Sequence, residues 1–201
     1  MSEGHAVRSS WTRIVRWLEA HAPASAQALN APATAADLRE LRDGLGYDIP
    51  GDLEAWLRLN NGSTAKDSST PVPGGTRPAP HPDSALFPGG EVFLDCRSIT
   101  TLYRNNIRIA DEIGDTDWWA PSWIPIVAQP DSHHGLVLDT GQGRGADPVL
   151  AYHETDYPKP HAASLEEVLT GVADMLEHGD GDGLLTRGYE ATVQDGRVVW
   201  Q

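Results

Sequence analysis

The chain is predicted to fold as an α+β domain, and three stretches carry that prediction. Residues 123–128 and 135–139, Trp-Ile-Pro-Ile-Val-Ala and Gly-Leu-Val-Leu-Asp, have strand length and composition, and the polar residues 129–134 between them complete a hairpin. Ahead of that hairpin, apolar residues recur at helical spacing. Behind it, Ser164-Leu165-Glu166-Glu167 opens a further amphipathic stretch as a capping box. At 201 residues the chain suits one domain with a substantial core.

Taken in order, Trp11, Ile14, Val15 and Leu18 fall on one face and define a first helix over about residues 11–22, with Ser10 as its cap. Trp11 and Trp17 are read as packing residues. Residues 22–33 form a connector. Thr34 followed by Asp37 caps a second helix with Leu38, Leu41 and Leu45 inside. Pro50 at a first helical position starts a third helix, with Leu53, Trp56 and Leu57 inside, and Asn60-Asn61-Gly62 stops it. Residues 63–84, rich in proline and glycine with Val72 their one large aliphatic residue, read as a solvated, extended insertion.

Leu86-Phe87 and residues 91–95 are short strands about the Pro88-Gly89-Gly90 turn. Ser98 is expected to cap a helix whose inner stripe runs from Ile99 to Ile113, interrupted by Asn106 and ended by Gly114. Pro125 cannot donate to a ladder, so its side of the central strand should meet an edge, a bulge or solvent. Residues 148–153 form another strand, and the helix after Ser164 buries Leu165, Val168, Leu169, Val172 and Leu176 to about Glu177. Asp195-Gly196 between alternating runs marks a hairpin over about residues 189–200.

Fifteen Lys and Arg against 29 Asp and Glu give a formal charge of -14 and a pI near 4.8. Such a surface repels nucleic acid and favours basic partners. Cys96 is the single cysteine, so no internal disulfide forms, and the N-terminus has no apolar run of a signal peptide. No segment approaches the roughly 20 apolar residues of a membrane span. A cytoplasmic protein with no direct membrane contact is expected.

The motifs that would carry chemistry are incomplete. In Gly141-Gln142-Gly143-Arg144-Gly145 the third glycine comes too early for a dinucleotide loop. In Asp180-Gly181-Asp182-Gly183 the fifth and twelfth positions of a calcium loop would be Leu184 and Ala191. Cys96 has no nucleophile signature, and no serine occupies Gly-x-Ser-x-Gly. His133 and His134, with His153 and Glu154, are the remaining candidates for a metal or a base, but they lack His-Glu-x-x-His spacing. No catalytic residue, metal ligand or cofactor is therefore assigned.

A family pattern does emerge. Leu45-Gly46-Tyr47-Asp48-Ile49-Pro50, Trp56-Leu57 and Asn60-Asn61-Gly62 form its first half. Trp119, Trp123-Ile124-Pro125-Ile126, Gly135, Leu138-Asp139 and Ala163-Ser164-Leu165 with Leu169 form its second. In that order they resemble the SUKH superfamily, which includes the yeast cell-wall assembly regulator branch and many bacterial immunity proteins. The resemblance covers about residues 11–178 and implies a mainly antiparallel twisted sheet, N-terminal helices against it and a closing C-terminal helix. The insertion at 63–84 and the two-histidine loop depart from the pattern.

By that resemblance, the expected function is an immunity protein that binds a cognate polymorphic toxin, of which nucleases are one kind, and occludes its active site. The partner-binding residues it points to are Asp111, Glu112, Asp115, Asp117 and Trp118, with Glu154 and Asp156 on a neighbouring loop. The acids would steer a basic toxin and Trp118 would anchor it, while Trp119 and Trp123 turn inward. A non-catalytic scaffold or regulator is the alternative, and a metal-assisted enzyme using His133, His134 or His153 stands last.

Overall fold

The computed structural model describes residues 4–63, 69–72, 75–78, 82–129, 134–142, 147–179, 183 and 185–201. Helices α1 (His5–His21), α2 (Pro23–Gln27), α3 (Ala35–Leu45) and α4 (Gly51–Leu57) come first. The hairpin β1 (Ser69–Val72) and β2 (Gly75–Pro78) follows, then β3 (Ala85–Phe87), β4 (Glu91–Phe93) and α5 (Cys96–Ile113). Strands β5 (Trp123–Ala128), β6 (His134–Asp139), β7 (Val149–His153) and β8 (Asp156–Ala162) lead to α6 (Leu165–His178) and the terminal hairpin β9 (Ala191–Gln194) and β10 (Arg197–Trp200). Strands β3 to β8 form one six-stranded antiparallel sheet in sequence order. The α+β class, with helices before the sheet and one closing over it, is as the sequence predicts.

The helix starts show how local chemistry sets boundaries. Thr34 Oγ1 accepts from Asp37 N–H while Asp37 Oδ2 accepts from Thr34 N–H, the reciprocal cap read from the sequence. Ser164 likewise accepts from Glu167 N–H. Three expected caps move. Helix α1 begins at His5, and Ser10 lies buried inside it, its hydroxyl bonded to Thr170 of α6 at 2.9 Å. The cap of α5 is Asp95, whose carboxylate accepts from Ser98 N–H. Pro50 sits one residue before α4, at its cap. In α1 a tertiary partner holds Ser10 inside the helix, whereas in α5 the better local cap lies three residues earlier, at Asp95.

The main core lies where α1, α4 and α6 meet one sheet face. Trp11, Trp56, Phe87 and Phe93 are each no more than 1 % exposed, and Trp56 stacks on Phe93 with ring centres 3.7 Å apart and planes within 3°. Asn60 and Asn61 tie this layer together. Trp11 Nε1 donates to Asn60 Oδ1, and Cys96 N–H donates to Asn61 Oδ1. Gly62, at φ +79°, passes so close to Asp95 that an added Cβ would lie 2.5 Å from its backbone nitrogen. Only glycine meets both the backbone angle and the approach.

Successive β6 residues point to opposite faces, yet all five from Gly135 to Asp139 are buried, because both faces are covered. Leu136 and Leu138 join the main core. Val137 instead packs with Tyr152, Trp119 and Ala110 in a second cluster beneath the end of α5 and the 118–123 loop. Pro125 coincides with a register shift in the β5–β6 pairing, the bulge its missing N–H requires. The inserted segment, expected to be largely extended, includes among its described residues the β1–β2 hairpin and a 3-10 turn at Pro82–Ser84, while residues 64–68, 73–74 and 79–81 lie outside the described residues. Strand β8, with Pro158 and Pro160, was not legible as a strand; an edge position tolerates residues that cannot donate to a ladder.

The C-terminal hairpin closes the far side of the molecule. Asp195 and Gly196 both take positive φ, 52° and 74°, as a two-residue hairpin turn requires. Ala24 N–H donates to Gly196 O, Val198 N–H to Ser25 Oγ, and Trp200 Nε1 to Leu86 O on β3.

Candidate functional site

The predicted partner-binding residues come from two segments, 111–118 and 154–156, and the fold brings the two together. Gly114, at φ +70°, ends α5 and turns the chain, so that Asp115 Oδ1 accepts the backbone N–H groups of Asp117 and Trp118. Trp118 Nε1 then reaches the β7–β8 turn and donates to Glu154 O at 3.0 Å. From the other side Tyr157 Oη donates to Asp115 Oδ2 at 3.1 Å, and Tyr157 N–H to Asp156 Oδ1.

The loop carrying Trp118 is pinned from beneath. Tyr47 and Tyr103 both donate to Pro121 O, each at 3.0 Å. Thr140 donates through its N–H and hydroxyl to Ser122 O, and Ser122 Oγ donates to Asp139 Oδ1. Burial pushes both tyrosine hydroxyls above the usual phenol range, so they remain protonated donors at neutral pH. Trp119 is 2 % exposed, and Trp123 packs partly buried at the same cluster, with ring centres 6.0 Å apart. Trp118 is half-buried, tilted on Trp119 at 6.2 Å.

The acids differ in what they meet. Glu112 pairs with Arg108 at 2.5 Å and Asp156 with Lys159, so their charges are partly neutralised. Asp111 and Asp117 pair with no cation among the described residues. Hydrogen bonds from Lys159 and the Tyr157 amide hold Asp156 below the usual carboxylate range, whereas the bond to Asp115 raises the Tyr157 hydroxyl.

Two large side chains at this place are exposed where the sequence did not predict it. Ile113, expected on the inner stripe of α5, is exposed, because the last turn of the helix projects past the layer it covers. Tyr157 is exposed beside Asp115. Its neighbours Asp156 and Pro158 gave no strand signal, so nothing local set it apart.

The candidates for other chemistry separate in the structure. His134 and His153 face each other across β6 and β7 with rings stacked at 5.6 Å, and His133 lies outside the described residues. Among the described residues no third ligand gathers with them. The one grouping of three potential ligands among the described residues is Asp174, Glu177 and His178 on α6, and there Arg13 already pairs with both carboxylates at 2.6 and 2.5 Å. Cys96 is buried, and burial, reinforced by Asp37 and Asp95, pushes its thiol up to about 12. It is no thiolate at neutral pH.

A second polar cluster lies under the C-terminal segment. Arg187, at φ +54°, donates through Nη1 to Glu91 Oε1 at 2.7 Å and through Nη2 to Pro88 O. Glu91 is fully buried, and desolvation raises its carboxyl above the usual range despite the arginine. Thr186 is also fully buried. Glu91 Oε2, Thr186 Oγ1, Arg187 Nε and His161 Nε2 have no partner among the described residues. Burial, with Arg187 nearby, lowers His161 to about 4.

The fold and this surface define a class: an α+β domain built on an antiparallel meander, presenting an acidic and aromatic patch that several loops assemble. The chain belongs to the SMI1 / KNR4 family (SUKH-1), whose model matches residues 32–171, from the approach to α3 into α6. No curated protein searched matches the chain significantly. Helix α1 and the β9–β10 hairpin lie outside the matched range. Among the described residues no helix is long and apolar enough to cross a membrane.

Proposed function

We propose that this chain is an immunity protein that binds a cognate protein toxin and covers its active site. Membership of the SUKH-1 family supports the reading. The single observation that best supports it is the convergence of Asp115, Asp117 and Trp118 with Glu154, Asp156 and Tyr157 on one prearranged surface. With a formal charge of -14, that surface suits a basic partner, whose approach it would accelerate. The protein acts by occlusion, without turnover, in the cytoplasm where the toxin would otherwise reach its target. Co-expression with a toxin domain encoded beside the gene is the direct test. Protection of the host and co-purification of the toxin are expected; a toxin that stays lethal and unbound overturns the proposal. The regulator reading differs only in partner, and a pull-down returning cellular assembly proteins in place of a toxin would favour it.

A further inference from the structure

Among the described residues three large apolar side chains are exposed: Ile113 at 58 %, Tyr157 at 56 % and Val193 at 46 %. Two of them flank Asp115, one on the last turn of α5 and one bonded to its carboxylate from the start of β8. Charge alone selects no place on this protein, since α3 and the start of α5 also carry Asp37, Glu40, Asp43 and Asp95. Exposed apolar surface coinciding with carboxylates that no cation neutralises does select one.

We propose that Ile113 and Tyr157, rimmed by Asp111 and Asp117, form the anchor of a docking surface for a basic segment of a partner protein. That segment alternates an arginine or lysine with an apolar residue. The proposal rests on the partner-binding reading above and names the partner's chemistry. The apolar side chain seats on Ile113, and the cation lies over the Tyr157 ring beside Asp115 and Asp117. The basic side chains of Arg108 and Lys159 are turned onto Glu112 and Asp156 and leave Asp111 and Asp117 to the partner. Trp118, with its indole N–H committed to Glu154 O, is the floor of the surface. Because the loop is held by Tyr47, Tyr103 and Thr140 before any partner arrives, little ordering accompanies docking. Nucleic acid and anionic membrane are excluded by the same carboxylates.

The probe is a synthetic nine-residue peptide alternating arginine and leucine, with a glutamate-for-arginine counterpart, titrated into the full 15N-labelled chain. Amide shifts confined to residues 111–118 and 154–157 are expected with the basic peptide and none with the acidic one. Ile113→Ser combined with Tyr157→Ser should weaken binding at least about tenfold, the loss expected for two truncated anchors. Glu40→Gln with Asp43→Asn should change it less than about twofold. Absent binding, shifts centred on α3, or equal affinity for the double-serine variant overturns the proposal. The co-expressed toxin separates the two readings. A toxin held equally by wild type and the double-serine variant refutes this surface and leaves immunity standing; peptide binding without toxin protection refutes immunity and leaves the surface.

Discussion

Replacing Arg187 by methionine removes the cation that faces Glu91 while keeping most of the side-chain volume. Glu91 has no exposed surface, and its second oxygen already lacks a partner among the described residues. The variant therefore leaves either an unpaired buried carboxylate or one that must bind a proton to stay buried. Breaking such a pair costs about 3–5 kcal/mol, a large share of the 5–15 kcal/mol that holds a domain together. In urea, at a slope of about 2 kcal/mol per molar, the unfolding midpoint should fall by about 2 M, read from tryptophan fluorescence. The sign of the pH effect follows from burial. Glu91 is already raised in the folded state, and losing Arg187 raises it further, so its cost is greatest at neutral pH and shrinks as acid protonates it. The deficit at pH 5 should thus be smaller than at pH 7. Glu91→Met with Arg187→Met should recover most of the loss, because no charge then remains buried. A single variant with an unchanged midpoint, or a deficit that grows on acidification, would refute this account.

Other consequences follow from the same contacts. Gly62→Ala adds a left-handed residue and a clash with Asp95, and should cost about 3 kcal/mol or more, measured by thermal unfolding. His161 is lowered to about 4 from an ordinary 6.5, so stability present at neutral pH should be lost as pH falls from 6.5 toward 4. The contribution is about 3 kcal/mol at most, and His161→Gln should flatten the pH profile of the urea midpoint. Tyr47→Phe with Tyr103→Phe removes both donors to Pro121 O; about 1–2 kcal/mol of local stability should go, with faster hydrogen exchange at the Trp123 and Thr140 amides than elsewhere.

Much of the fold was legible locally because its signals are local. The Thr34 and Ser164 caps, the leucine stripes of α3 and α6, the β5–β6 hairpin and the Asp195-Gly196 turn each need only residues close in the chain. Where a distant partner decides, local reading fails. Ser10 looks like a cap until Thr170 is opposite it. Ile113 continues a helical stripe until the covered layer ends beneath it. Strand β8 hides behind two prolines that an edge position accepts. The acids and Trp118 were legible as candidates from composition and order, yet the pairing of Glu112 and Asp156 with basic neighbours and the exposure of Tyr157 were not.

The sequence by itself determined the α+β class, the starts of α3 and α6, the helix stop at Gly114, the Asp195-Gly196 turn and the family, since each depends on spacing within a few residues or on the order of short motifs. The tertiary structure alone decided three things. Both faces of β6 are covered, because α5 and the 118–123 loop fold back over the second face. Two segments some 40 residues apart share one acidic surface, because Tyr157 and Asp115 meet across the fold. Glu91 is buried, because an arginine 96 residues later supplies the charge that lets it remain so.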